Sequence, residues 1–288
     1  MASLKEIKER IASVRSTRKI TSAMKMVAAA KLHRTQRAIG ALVPYADELQ
    51  AITSHLVGGE GVPPIALATQ REAVGRATVI AFASNGTLCG AYNGNVVRKA
   101  AGVVGEWHQQ GAEVEVVAVG EQLAKGLHRL GIAPEEGHEE FADRPTYEMA
   151  QRLARRMMTA YAEGSTDRVD VVYYKFISAG TQRLVCEQLL PIEIGPAAEE
   201  GTRTTEYILE PDRTELIASI VPRQITLKIY AAALSASASE HAARMMAMQA
   251  ATDNADTLIA DLALEYNKQR QQAITTELLD IMGGQNGR

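Results

Sequence analysis

The chain has 288 residues and a net charge of −3, with 46% hydrophobic, 23% charged and only 5% aromatic residues. That suits one large soluble domain or two small ones, and no run approaches the roughly eighteen apolar residues of a membrane span. The charged start (Lys5, Glu6, Lys8, Glu9) argues against a secretory signal peptide, and the two isolated cysteines, Cys89 and Cys186, argue against a disulfide framework or a zinc site and fit a reducing compartment.

The first predicted element is a helix over residues 3–56. Ser3, with Glu6 three residues on, forms a capping box. Leu4, Ile7, Ile11 and Val14 keep the 3-4-3 spacing of a coiled-coil seam, which drifts on to Ile20, Met24, Val27 and the alanines 28–30. Pro44 predicts a kink or a change of axis. Gly58, Gly59, Gly61, Pro63 and Pro64 end the element. The first forty residues are strongly basic: Lys5, Lys8, Arg10, Arg15, Arg18, Lys19, Lys25, Lys31, Arg34 and Arg37 stand against only Glu6 and Glu9. A solvated face is the plainest reading. A nucleic-acid arm would interleave aromatics for base stacking, and none is present. The apolar seam on the same helix favours an acidic protein partner.

From Arg76 the period turns strand-like. Strands are predicted over 77–83 and 113–119, and helices from the loop's end to about Gln110, over 121–130 and over 146–163. Strands over 169–178 and 182–190 pair as a hairpin through Ala179, Gly180 and Thr181. This alternation reads as a small α/β domain with a parallel core and an added hairpin. The loop over 84–93 follows a strand and precedes a helix, the right place for a phosphate cradle. It carries neither GxGxxG nor GxxxxGK[ST], and no Lys, so no cofactor is expected. Cys89 has no neighbouring His or second Cys and reads as a buried structural thiol. The histidines (33, 55, 108, 128, 138 and 241) show no ligand spacing, so no metal or catalytic site is expected. A polar loop follows over 195–201, then a strand-like piece over 204–209. Glu210, Pro211 and Asp212 cap a short helix over 213–221.

The chain ends in a second long helix. Residues 223–282 contain no Gly and no Pro and are dense in good helix formers. Apolar positions recur at helical spacing: Leu258, Ile259, Leu262 and Tyr266, then Ile274, Leu278 and Ile281. Pro222 is placed to open it, and Gly283 with Gly284 to stop it. Roughly sixty residues make a rod of about 90 Å, too long for an ordinary core element. Such a rod needs a partner along its length, and the first helix supplies one, antiparallel. Ala231–233, Ala236, Ala238, Ala242, Ala243, Ala247, Ala250 and Ala251 would let the axes approach closely. The distal stretch over 266–282 is expected to meet residues 1–20.

Three motifs then carry a resemblance. Ile7-Lys-Glu-Arg-Ile11-Ala-Ser-Val14 with Lys19-Ile-Thr-Ser-Ala-Met24-Lys-Met-Val-Ala-Ala-Ala-Lys31 is the first, and Leu88-Cys-Gly-Ala-Tyr-Asn93 the second. The third runs from Ala238-Ser-Glu-His-Ala-Ala-Arg244-Met through Ala250-Ala-Thr-Asp-Asn-Ala255 to Tyr266-Asn-Lys-Gln-Arg-Gln271-Gln-Ala-Ile-Thr-Thr-Glu-Leu278. In this order they resemble the gamma subunit of F-type ATP synthases from end to end. The resemblance implies the fold: a long antiparallel coiled coil of the terminal helices (1–57 and 211–288) with an inserted Rossmann-like α/β domain (75–195). It implies a central rotor stalk that couples proton flow through the membrane c ring to ATP synthesis or hydrolysis in the alpha/beta ring. The implied partners are the alpha and beta subunits, the epsilon subunit and the c-subunit ring, with no nucleic acid and no membrane span. The chain would lie on the cytoplasmic side of a bacterial inner membrane and would carry no catalytic residue.

Residue by residue, Met24 and Lys25 match the family's contact region for an acidic beta loop, and Arg244 matches an Arg that acts with it. Arg270 and Gln271 match the pair that hydrogen-bonds a second beta loop, with Thr275 and Glu277 one turn beyond. Tyr207 and Glu210 match the foot on the c ring. Without the resemblance, Met24 reads as seam packing and Arg270 and Gln271 as solvated polar residues. A shaft turning in a sleeve should also show few strong apolar anchors on its outer face. Two departures stand out. The tail from Gly283 to Arg288 is more polar than the family's small apolar end, and Gln269 and Gln272 stand where Ala or Ser is common. The absence of the paired cysteines of chloroplast members removes thiol regulation. The alternative is an α/β-domain protein whose basic coiled-coil arms act as a scaffold.

Overall fold

A computed structural model describes residues 3–57, 65–193, 209–210 and 212–285. The chain divides into two compact units, residues 1–29 with 244–288, and residues 30–243. Two helices pass through both units: α1 (Leu4–Val57) and α6 (Arg213–Gln285).

The start of α1 is the predicted capping box. Ser3 Oγ accepts from the Glu6 amide at 3.2 Å, and the Ser3 amide donates to Glu6 Oε2 at 3.4 Å. Pro44 does not end the helix. Asp212 caps α6, with its Oδ1 accepting from the Glu215 amide at 2.9 Å.

The expected short helix over 213–221 and the rod after Pro222 are one element, with Pro222 inside it. An interior proline costs about 3 kcal/mol. Ile217, Val221, Ile225 and Ile229 lie at successive turns around it and are at most 4% exposed. Burying each contributes about 1.5–3 kcal/mol, so packing outweighs the lost hydrogen bond. Gly283 and Gly284 do not stop the helix either, since it runs to Gln285.

The unit of residues 30–243 is built on a four-stranded sheet of order β2-β1-β3-β4: β1 (Arg76–Phe82), β2 (Glu113–Val119), β3 (Arg168–Ser178) and β4 (Thr181–Leu190). β1 pairs parallel with β2 and β3, and β3 pairs antiparallel with β4. Between the strands lie α2 (Tyr92–Gln109), α3 (Glu121–Arg129), α4 (Glu139–Asp143) and α5 (Tyr147–Ala162). Alternation along β1 divides the core. Val79, Ala81 and Ala83 point to α2 and α3, among Val96, Val103, Leu123 and Leu127. Ile80 and Phe82 point to the other face, among Leu153, Met157 and Tyr161 of α5 and Ile217, Val221, Ile225, Ile229 and Ala236 of α6. One expectation is thereby corrected. The first turns of the long helix are a core element of the α/β domain, because their apolar stripe fills the sheet face beside α5. The strand-like piece over 204–209 falls almost wholly outside the described residues.

One cluster in this unit makes its stability depend on acid. Glu135, in the segment bridged to β2, meets Arg156 of α5 and, at 3.3 Å, His138. Burial pushes its carboxyl up, but the hydrogen bonds and charges of Arg156 and His138 outweigh that and hold it below the ordinary value of 4.5. A carboxyl depressed in the folded state contributes stability above its unfolded value, and loses it as the pH falls through the folded one. Urea unfolding of wild type should therefore weaken below about pH 4.5 more than unfolding of Glu135→Gln does.

Candidate functional site

In the unit of residues 1–29 and 244–288, burial repeats at sevens. Ile7, Thr21 and Ala28 are buried on α1, and Met248, Ala255 and Leu262 on α6. This is the seam of a coiled coil. Three polar links cross it. Arg18 Nε meets Asp256 Oδ1 at 2.6 Å, Thr21 Oγ1 meets Thr252 Oγ1 at 2.8 Å, and Lys25 Nζ donates to Gln249 Oε1 at 2.7 Å. Each step up α1 by three or four residues is a step down α6 by four or three, so the pair is antiparallel, as predicted.

The hydroxyl pair lies inside the seam. Thr252 Oγ1 can donate to the Met248 carbonyl at 2.7 Å while accepting from Thr21, so both groups are satisfied. Polar groups at seam positions specify register more than they add stability. Thr21→Val should cost about 1 kcal/mol, and adding Thr252→Val should cost less than the sum of the two single changes. Chemical denaturation of the four-member mutant cycle checks this.

Continued to the N-terminus, this register sets Ser3 opposite about residue 271 of α6. The expectation that 266–282 meets residues 1–20 therefore holds only as far as about residue 271; beyond it, among the described residues, no α1 turn faces α6. Residues 270–279 are all exposed, including Ile274, Leu278 and Leu279. The outer face of the pair also differs from expectation. Ile20, Met26, Val27, Met246, Leu258 and Leu264 are exposed, Leu264 by 71%. A coiled coil uses its apolar residues at two positions in seven, and these lie outside that seam.

The sequence-assigned contact residues are divided among these surroundings. Met24 is half-buried beside the seam, and Lys25 is half-buried and held by Gln249, which itself donates to Asp253 at 2.7 Å. Arg244 is half-buried at the start of the unit's α6 segment. Arg270, Gln271, Thr275 and Glu277 are exposed, with Thr275 Oγ1 bonded to the Gln271 carbonyl at 2.9 Å. Glu210 is exposed, and Tyr207 lies outside the described residues. The register brings Met24 and Lys25 opposite the turn of α6 that carries Gln249.

The second place to look for chemistry is the α/β domain's switch point. β1 leads to β2 on one side and β3 lies on the other, so a ligand of a doubly wound sheet would enter beyond the carboxyl end of β1. That space is filled by the chain itself. Asn85 Oδ1 accepts from the Glu121 amide at 3.0 Å, so a side chain occupies the N-terminus of α3 where a phosphate would bind. Ser84 is fully buried, and Asn93 Oδ1 accepts from its amide at 3.1 Å. Tyr92 and Tyr174 stack at 5.0 Å, and residues 235–239 of α6 lie against them: Tyr92 Oη donates to the Ala236 carbonyl at 3.0 Å, and Ser239 Oγ to the Tyr174 carbonyl at 3.1 Å. Sequence reasoning gave the loop but not its occupant, because the contact joins positions 144 residues apart.

Other reactive groups are engaged. The buried Asp170 carboxylate takes Trp107 Nε1 at 2.9 Å and Arg168 Nε at 2.8 Å. Burial, with Asp170 nearby, pushes the Cys186 thiol up to about 11, away from nucleophilic use at neutral pH. Among the described residues no group of three or more His, Cys, Asp or Glu could hold a metal ion, and no helix is long and apolar enough to cross a membrane.

Comparison with known proteins bears on the whole chain. Residues 3–287 match the family model described as ATP synthase. The ATP synthase gamma chain of Bacteroides fragilis is 45% identical over 99% of both chains, and that of Bacteroides thetaiotaomicron is 45% identical over the same shares. Among solved structures, a chain of the Euglena gracilis mitochondrial ATP synthase has the same fold, with TM-score 0.64 at 19% identity over 98% of this chain and 93% of that one.

Proposed function

Because the chain belongs to the family of ATP synthase gamma chains, we propose that its exposed shaft is the surface on which it works as the central rotor stalk. It couples proton flow through a c ring to the nucleotide sites of an alpha/beta ring by turning. The observation that carries this reading is the outer face of the coiled coil. Ile20, Met26, Val27, Met246 and Leu264 are exposed around a pair whose own seam is already filled. Apolar area of that kind calls for a surrounding partner. A sleeve of alpha and beta chains supplies one, and the single-helix stretch beyond about residue 271 supplies its tip.

Within this reading, Met24, Lys25 and Arg244 meet one loop of a beta subunit, and Arg270 and Gln271, with Thr275 and Glu277, meet another. Basic residues on α1 complement acidic loops by charge. Lys25 reaches its loop by exchanging Gln249, a neutral partner, for a carboxylate, which strengthens the bond. Glu210 and Tyr207 form the foot on the c ring, and epsilon binds the α/β domain. The catalytic chemistry stays with the alpha/beta sites, and this chain contributes none. It is held peripherally on the cytoplasmic face of a bacterial inner membrane through the ring it turns. Its working parts are a shaft strand within 1–57, a torque-receiving body of 75–195 to which the first turns of α6 also belong, and a second shaft strand in the rest of 211–288.

Native mass spectrometry of the chain co-expressed with its own alpha and beta subunits tests the reading, with ATP hydrolysis assayed on the same sample. A complex of three alpha, three beta and one copy of this chain, active in hydrolysis, is the expected result. A chain that stays alone beside soluble ring subunits would leave the scaffold alternative.

A further inference from the structure

We infer that the filled switch-point crevice is the joint that transmits torque between the α/β domain and α6, with Tyr92, Ser235 and Ser239 as its positioning residues. The inference rests on the rotor reading and adds where torque enters the helix.

Beyond the turns of Ile217, Val221, Ile225 and Ile229, which anchor the start of α6 in the core, the surface of α6 that faces the domain over residues 232–238 is smoother. Ala232, Ala233, Ala236 and Ala238 are at most 4% exposed, and none carries a side chain long enough to make a ridge. Alanine packing resists separation of two elements. It resists rolling of the helix about its own axis poorly, since no knob must climb out of a hole. Directional bonds supply what the packing lacks, and three are concentrated on little more than one turn. Tyr92 Oη donates to the Ala236 carbonyl at 3.0 Å, Ser239 Oγ donates to the Tyr174 carbonyl at 3.1 Å, and the Phe176 amide donates to Ser235 Oγ at 2.7 Å. They come from two supports, the first residue of α2 and the end of β3, and the Tyr92–Tyr174 stack ties the supports together.

The residue types fit that role better than simple packing. Ser235, Ser237 and Ser239 interrupt an alanine run where Ala would form a better helix. Ser239 is fully buried, and its hydroxyl is bonded outward to the domain. A purely packed interface would use Ala at all three positions.

The test compares wild type with Tyr92→Phe/Ser235→Ala/Ser239→Ala, and with Tyr92→Phe alone should the triple variant fail to assemble. Three quantities are read: ATP hydrolysis by the detached catalytic complex, protons pumped per ATP by the holoenzyme in sealed vesicles, and the angular spread of a probe on the α/β domain of a stalled complex. Without load, hydrolysis should match wild type. Against a proton gradient, pumping per ATP should fall by about twofold or more, with a wider angular spread, because the lost bonds act only when torque is applied. Returning the Ser239 hydroxyl to the triple variant should recover part of both. Unchanged pumping and unchanged spread would overturn the joint. So would hydrolysis and pumping falling in the same proportion, which marks a folding contact. A wild-type holoenzyme that pumps no protons would instead be a failure of the rotor reading, and is told apart by that control.

Discussion

Gly120→Ala should unfold the α/β domain at temperatures where wild type is intact. Gly120 ends β2 and caps α3 with φ 109°, a conformation that L side chains rarely adopt. An added Cβ would stand 2.5 Å from the Ala83 carbonyl oxygen and 2.8 Å from its carbon. Both are backbone atoms just past the end of β1, so relief requires the central strand's end to move. Ala83 is itself tied to β2 by its amide, which donates to the Val119 carbonyl at 2.8 Å. Strain and clash together should cost about 3–5 kcal/mol, the range of backbone-incompatible substitutions. That is a large share of the 5–15 kcal/mol typical of a whole fold. In a thermal melt followed by circular dichroism, the midpoint should fall by roughly 8–15 °C. A midpoint within about 2 °C of wild type would mean that the turn adapts at little cost.

The second large effect is functional. Arg270→Ala with Gln271→Ala should lower ATP hydrolysis by the assembled complex about tenfold or more, because hydrogen bonds to charged partners are each worth about 1.5–3 kcal/mol. Both side chains are exposed and lie near the end of α1's reach, so neither supports the fold of the chain alone. The melt of the isolated double variant should therefore match wild type while activity falls. Hydrolysis within twofold of wild type would remove these two residues from the contact with beta. Thr275→Ala should have a much smaller effect, since its hydroxyl is bonded to the helix's own Gln271 carbonyl.

The two long helices were legible because their signals are local. A capping box, periodic apolar positions and sixty residues free of Gly and Pro need no knowledge of the rest of the chain. The four strands were legible for the same reason, including the hairpin through Ala179 and Gly180. Pro222 misled because its local meaning is a boundary, and what overrides it is the burial of Ile217, Val221, Ile225 and Ile229 in a core formed by distant strands. The register of the shaft was not legible at all. Apolar periodicity fixes a face, not a partner, and it takes the Arg18–Asp256, Thr21–Thr252 and Lys25–Gln249 links to show that α6 overruns the start of α1. The exposed apolar face was not legible, because apolar periodicity alone does not separate Leu264 and Met26 from seam residues; their exposure does. For the contact residues, Arg270 and Gln271 are solvated polar groups by every local signal. Only the family resemblance assigns them a role.

The most direct measurement is rotation itself. A bead would be attached to the α/β domain of this chain in a complex with its alpha and beta subunits immobilised on a surface, and ATP would be supplied. Sustained turning in one direction, in steps that match the number of beta subunits and stop when ATP is withdrawn, is the predicted result. A complex that hydrolyses ATP at full rate while the bead only fluctuates about a fixed angle would contradict it, and would make this chain a scaffold of the ring rather than its shaft.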